Sequence, residues 1–259
     1  MLYIIKSYFS FLWNSKNEHA VHSPFVFHLI TKCFYDKKQY DGYSSLRKYR
    51  KSLVNNQDTI EVTDFGAGSR VFKSNKRNIS KIAATAGITN NRAELLFRIA
   101  NYFKPENILE IGTSLGLATS ALAFGSPNST ITSVEGCPQT AAIAAKQFTS
   151  FGLTNINPII SEFEGFLLDL DHPTINYGLI YFDGNHQKEA TLRYFDLLLP
   201  TITNDSVWIF DDIHWSAGMQ EAWEVIKKHP KVTVTIDTFQ WGFVFFRREQ
   251  LKEHFVIRI

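Results

Sequence analysis

The residues that could do chemistry begin at Asn107-Ile-Leu-Glu-Ile111, an apolar strand that runs into Gly112-Thr-Ser-Leu-Gly116 and then into a helix of small residues, Leu117-Ala-Thr-Ser-Ala-Leu-Ala. Gly112 and Gly116 allow a sharp turn and let a ligand approach the backbone at a helix N-terminus, beside Thr113 and Ser114. Glu110 stands two residues ahead of the turn. The strand Thr130-Ile-Thr-Ser-Val134 then ends in Glu135, nineteen residues after Gly116 and followed by Gly136. An acid at the end of a second strand can accept hydrogen bonds from both hydroxyls of a ribose. Nicotinamide and flavin sites use GxGxxG because a pyrophosphate must reach the helix start. Here the turn is GxxxG, with no phosphate cradle.

A second constellation comprises Leu179-Ile-Tyr-Phe-Asp183-Gly-Asn-His186 and, one strand later, Val207-Trp-Ile-Phe-Asp211-Asp212-Ile-His214. Both put carboxylates at the carboxyl ends of adjacent strands, where α/β sheets bind ligands. Three hard oxygen donors at Asp183, Asp211 and Asp212 suit Mg²⁺ or a similar divalent ion, which could lower the pKa of a bound hydroxyl. The same carboxylates could equally cap the helices that follow. His186 can take a proton near neutral pH. His214 and Trp215 fit either a pocket wall or a packed loop, and Trp241 fits a packing role.

On these residues the sequence resembles the class I S-adenosylmethionine-dependent methyltransferases, and more narrowly the metal-dependent catechol and caffeoyl-CoA O-methyltransferases, whose first motif also reads E-x-G-x-x-x-G. The Asp211-Asp212 pair is similar to that of the antibiotic-sugar O-methyltransferases. The resemblance spans roughly residues 91 to 247. It implies S-adenosylmethionine held by Glu110, Gly112, Thr113, Ser114, Gly116, Glu135 and Gly136. Glu162 and Phe163, after the third strand, would lie near the adenine, although a helix start with early acids looks the same. Asp183 matches the first metal aspartate, beside the cofactor, Asp211 the second, and Asp212 the residue after it. His186 occupies the place of the lysine base of the catechol enzymes. Sugar-directed relatives put an acidic base two residues after the first aspartate, where this chain has Asn185. The implied activity is methyl transfer to a hydroxyl of a small molecule, assisted by a divalent cation.

The elements that must position these residues follow the α/β pattern of a parallel sheet covered on both faces. Strands are expected at 107–112, 130–135, 156–160, 177–183, 206–211, 232–237 and 242–247, with helices at 92–103, 116–124, 138–151, 162–170, 187–199 and 217–229. The last two strands are too close for a crossover helix and must pair antiparallel. The expectation is a Rossmann-like, doubly wound, seven-stranded sheet with an antiparallel last strand over residues 91–259, preceded by a basic, mostly helical extension over residues 1–90.

In that extension, Leu2, Ile5, Phe9 and Leu12 recur at helical steps. Such a helix could lie on the main domain or on a membrane surface. Ser23-Pro24 reads as a helix start. Tyr35 to Lys51 is polar and basic, and reads as a linker or a loosely held helix. Asp64-Phe-Gly-Ala-Gly68 imitates a cofactor turn, but the basic, aperiodic residues after it favour a plain turn. Residues 1–90 hold 14 Lys and Arg against 6 Asp and Glu, while the remainder holds 13 against 19. The basic front could dock on the chain's own acidic body. Alternatively it could bind RNA, with Tyr40, Tyr43 and Tyr49 stacking on bases. A non-catalytic interaction module and a homodimer are further alternatives. Two distant cysteines, Cys33 and Cys137, and the absence of a membrane-spanning run or a leader fit the reducing cytoplasm.

Overall fold

The computed structural model describes residues 2–63, 65, 74–170 and 175–259. Apart from Phe65, the turn Asp64–Gly68 lies outside the described residues. The chain divides into two compact units, residues 1–35 with 167–259, and residues 36–166.

Helix α1 (Leu2–Asn14) opens the first unit. Helix α2 (Pro24–Leu29) begins where Ser23 Oγ accepts from Val26 N, as the Ser-Pro pair predicts, and runs on into a π-helical turn, Ile30–Phe34. Phe25 packs on Phe245, Phe34 on Phe243, and Tyr8 and Phe11 on Phe239. The first 35 residues thus pack against the C-terminal part of their own unit.

The second unit starts with α3 (Gly42–Val54), the antiparallel pair β1 (Thr59–Glu61) and β2 (Lys76–Asn78), α4 (Ile79–Thr85) and α5 (Asn90–Phe103). Then come β3 (Asn107–Ile111), α6 (Leu117–Gly125), β4 (Thr130–Glu135), α7 (Pro138–Ser150) and β5 (Ile156–Ile160). β4 pairs in parallel with β3 on one side and β5 on the other, aligning Ile111, Val134 and Ile159. The linker or loosely held helix expected from Tyr35 to Lys51 is largely the core helix α3, which buries Tyr43, Leu46, Tyr49 and Leu53. Its apolar face is half tyrosine, which is why composition concealed it. Tyr40 packs on Tyr43 and Phe97. Tyr43 and Tyr49 are buried and so are not available to stack on bases.

Helix α8 (Phe163–Leu168) leads into the rest of the first unit: β6 (Leu179–Phe182), α9 (Lys188–Leu198), β7 (Val207–Asp211), α10 (Ala217–Lys228), β8 (Val234–Asp237), β9 (Trp241–Phe245) and β10 (Glu253–Val256). β6 pairs in parallel with β7, and β9 inserts antiparallel between β7 and β8. All seven expected strands form. An eighth, β10, adds in parallel to β8, and a further bridge joins Ile257 to Lys16. With one buried residue in four, β10 carries too little hydrophobic pattern to be seen in advance. The two ladders hold eight strands, all parallel to their neighbours except β9, which gives a Rossmann-like fold. Among the described residues no helix is long and apolar enough to cross a membrane.

Candidate functional site

In the unit of residues 36–166, the chain leaves β3 through a turn with Gly112 at φ +106°, Ser114 at +48° and Gly116 at +77°. Backbone of this kind favours glycine. A Cβ on Gly116 would come within 2.5 Å of both Phe148 Cε1 and Tyr49 Oη. Tyr49 Oη also donates to Leu115 O at 3.0 Å, holding the turn from below. Gly116→Ala is therefore expected to cost on the order of 2–4 kcal/mol, combining left-handed strain with overpacking. Urea unfolding would check this, and a loss below about 0.5 kcal/mol would contradict it.

The turn is bound to the end of β4. Gly112 N and Thr113 N both donate to Val134 O, at 2.9 and 3.2 Å, and Thr113 Oγ1 lies 2.5 Å from Ser133 Oγ. Ser114 N donates to Glu135 Oε2 at 2.7 Å, and Cys137 N to Glu135 Oε1 at 2.9 Å. Burial raises the Glu135 pKa, and the amides of Cys137 and Ser114 pull it part of the way back. A carboxylate fixed in this way keeps lone pairs on both oxygens for a vicinal diol.

Glu110 is fully buried and braces the turn from beneath, without lining a surface. Its Oε2 accepts from Thr119 Oγ1 at 2.5 Å and from Ser133 Oγ, while its Oε1 has no hydrogen-bond partner among the described residues. Burial pushes its pKa to about 7, against the pull of the Ser133 and Thr119 hydroxyls. Ser161 N donates to Glu135 O at 3.1 Å, so the chain leaving β5 reaches the same strand end. Glu162 is exposed and its carbonyl accepts from Phe166 N at 3.0 Å, opening α8, while Phe163 is half-buried. Phe65 was not expected here. An ideal Cβ on Gly136 would lie 2.8 Å from its ring, and Thr63 N donates to Cys137 Sγ at 3.4 Å, anchoring this segment beside Glu135.

In the unit of residues 1–35 and 167–259, the β6–β7 register pairs Phe182 with Phe210 and sets Asp183 and Asp211 one step beyond. Tyr181 Oη donates to Asp183 Oδ2 at 3.3 Å, and His186 Nε2 lies 3.7 Å from Asp183 Oδ1. Asp211 is buried, and Asp212 takes a left-handed backbone, φ +55°, with its carbonyl accepting from Trp215 N at 2.8 Å. Asn185 Nδ2 donates to Tyr194 Oη at 3.3 Å. Among the described residues, no three His, Cys, Asp or Glu side chains gather into a group that could hold a metal ion. Trp241 is buried and meets Tyr181 edge to face, which is a packing role.

Asp237 is the residue here that sequence reasoning missed. Its Oδ2 lies 2.8 Å from His214 Nε2, its Oδ1 accepts from Phe239 N at 2.7 Å, and the Phe239 ring stacks on the imidazole at 5.2 Å. His214 Nδ1 is buried and has no hydrogen-bond partner among the described residues. An imidazole oriented through one nitrogen by a carboxylate presents the other as a proton acceptor.

Residues 109–213 match a family model described as a methyltransferase domain. The fold is similar to the S-adenosylhomocysteine-bound methyltransferase PaMTH1 of Podospora anserina, at 14% identity and TM-score 0.60, over 88% of this chain and 97% of that one. It is also similar to the O-methyltransferase TomG of Streptomyces achromogenes, involved in tomaymycin synthesis and bound to S-adenosylmethionine, at 14% identity and TM-score 0.57, over 81% and 91%. An O-methyltransferase of Bacillus cereus in complex with S-adenosylhomocysteine matches at 16% identity and TM-score 0.55, over 84% and 93%. The architecture is thus the Rossmann-like fold of the methyltransferases. The match to a methyltransferase domain covers residues 109–213, and the likeness to these structures is one of fold.

Proposed function

We propose that this enzyme transfers a methyl group from S-adenosylmethionine to a hydroxyl of a small molecule, in the cytoplasm. The observation that carries the proposal is Glu135, held by the amides of Ser114 and Cys137 at the end of β4 beside the Gly112–Gly116 turn. A vicinal diol is the ligand such a carboxylate suits, and a ribose without a pyrophosphate agrees with the glycine spacing. The solved structures of similar fold that hold this cofactor or its product support the choice. Bound S-adenosylmethionine would supply an electrophilic methyl on a sulfonium. Phe65 and Phe163 would contribute apolar contacts near the adenine and ribose. Cys33 and Cys137 are buried and neither is in a disulfide, which fits a reducing compartment.

The domain from residue 91 onward would carry the chemistry and residues 1–90 would be accessory. Asp183 and His186 are proposed to engage the acceptor, with Asp183 orienting the imidazole and His186 accepting the hydroxyl proton; S-adenosylmethionine, when bound, would give up its methyl by cleavage of the C–S bond and leave as S-adenosylhomocysteine. Asp183, Asp211 and Asp212 are the donor types Mg²⁺ prefers, but as placed they do not gather into a metal site. A second assignment of the base is favoured by the His214–Asp237 contact, which at 2.8 Å is shorter than the 3.7 Å between His186 and Asp183. The asparagine variant of the true base should lower kcat by about 10²–10⁴ with little change in cofactor affinity, whereas the other variant should stay within a few-fold.

Calorimetric titration of S-adenosylhomocysteine tests the whole proposal. Saturable one-to-one binding, unchanged by EDTA, is expected. Absence of binding would turn the chain into a non-catalytic module. Methyl transfer lost in EDTA and regained with Mg²⁺ would instead require Asp183, Asp211 and Asp212 to close around an ion.

A further inference from the structure

Helix α1 is apolar on two faces, and only one of them is used by the fold. Its inner side is spent on the unit it belongs to. Phe11 is buried, Tyr8 and Phe11 pack on Phe239, and Tyr3 Oη hydrogen-bonds Gln220. On the outer side Ile5, Phe9 and Trp13, four residues apart, form a single row one above another. They are 47%, 66% and 90% exposed. A lone exposed apolar side chain needs no explanation, but an aligned row ending in a nearly naked tryptophan does.

The charge next to the row is mainly positive, with Glu18 the first acid after the helix. Lys6 flanks it and Lys16 follows the helix, while residues 2–17 contain no Asp or Glu. The Arg258 guanidinium sits at the helix C-terminus, donating to Leu12 O at 3.2 Å and to Ser15 Oγ at 3.1 Å. We propose that the outer face of α1 docks on an anionic lipid surface, with Ile5, Phe9 and Trp13 entering the headgroup boundary and Lys6, Lys16 and Arg258 facing acidic headgroups. An interfacial helix has this composition, with aromatic residues on one face and cations beside them. A second copy of the chain is the lesser fit. Three side chains in one row fall well short of the roughly 800 Å² per partner that a stable dimer buries, and like-charged cations would meet across the two-fold axis. The docking does not depend on the methyl-transfer proposal.

The test uses the full chain with vesicles of phosphatidylcholine, with and without phosphatidylserine. Co-sedimentation is expected with the phosphatidylserine vesicles, weakening as salt is raised. Because Trp208, Trp223 and Trp241 are buried, and the partly exposed Trp215 lies outside α1, a blue shift of tryptophan fluorescence on binding should come from Trp13 and disappear in Trp13→Phe, which should still bind. The double variant Phe9→Ser, Trp13→Ser should lose at least tenfold in partitioning. Both residues are exposed, so its circular dichroism and unfolding midpoint should match those of the parent. No binding to either vesicle, or equal binding to both, overturns the proposal. So does concentration-dependent self-association that the double variant abolishes, which would assign the face to a second copy.

Discussion

Glu135→Ala is expected to weaken binding of S-adenosylhomocysteine by about a hundredfold or more. A hydrogen bond to a charged group is worth about 1.5–3 kcal/mol, and the carboxylate is proposed to accept two from the ribose. Part of the loss could come from the turn itself, since Ser114 N and Cys137 N would each lose an acceptor. A cofactor analogue lacking both ribose hydroxyls separates the contributions in a double-mutant cycle. If the carboxylate holds the diol, parent and variant should bind the analogue with nearly equal affinity. A variant as much weaker than the parent for the analogue as for the natural product would show that Glu135 only shapes the turn. The proposed cofactor geometry would then lose its anchor.

Glu110→Gln is expected to flatten the pH dependence of stability. The folded-state pKa of Glu110 is raised to about 7 from 4.5, chiefly by burial. Between those values the folded protein holds a proton that the unfolded chain has released. This group's contribution to stability is therefore fullest below about pH 4.5 and is lost as pH rises through about 7. From pH 5 to pH 8 the parent should lose on the order of 2–3 kcal/mol through this residue. Glutamine keeps an acceptor for Thr119 and Ser133 but cannot ionise. Urea unfolding of both proteins at the two pH values gives the comparison, and other titrating groups cancel in the difference. Parallel pH profiles would show that Glu110 is already ionised at pH 5 in the folded state.

Much of the architecture was legible because hydrophobic period and glycine placement are local. β3, β4 and β5 begin and end within a residue of expectation, and β6 to β9 within about two. The turn and Glu135 were readable because strand, turn, helix, strand and acid follow one another without interruption. What escaped depends on partners distant in sequence. His214 and Asp237 are 23 residues apart and meet because β9 inserts between β7 and β8, an order that no local pattern specifies. β10 survives with one buried side chain because β8 supplies its ladder. α3 was concealed by tyrosines, whose rings pack like apolar residues while their hydroxyls find partners such as Leu115 O. Phe65 could have been suspected only as an aromatic inside a turn that looked like a decoy.

The first 35 residues share a unit with residues 167–259, and this sets a timetable for the nascent chain. At roughly 5–20 residues per second, α1 leaves the ribosome on the order of tens of seconds before its packing partner Phe239 has been made. Throughout that interval both apolar faces of α1 are uncovered. The N-terminal helix therefore needs cover from a chaperone, or from a nearby lipid surface, during synthesis.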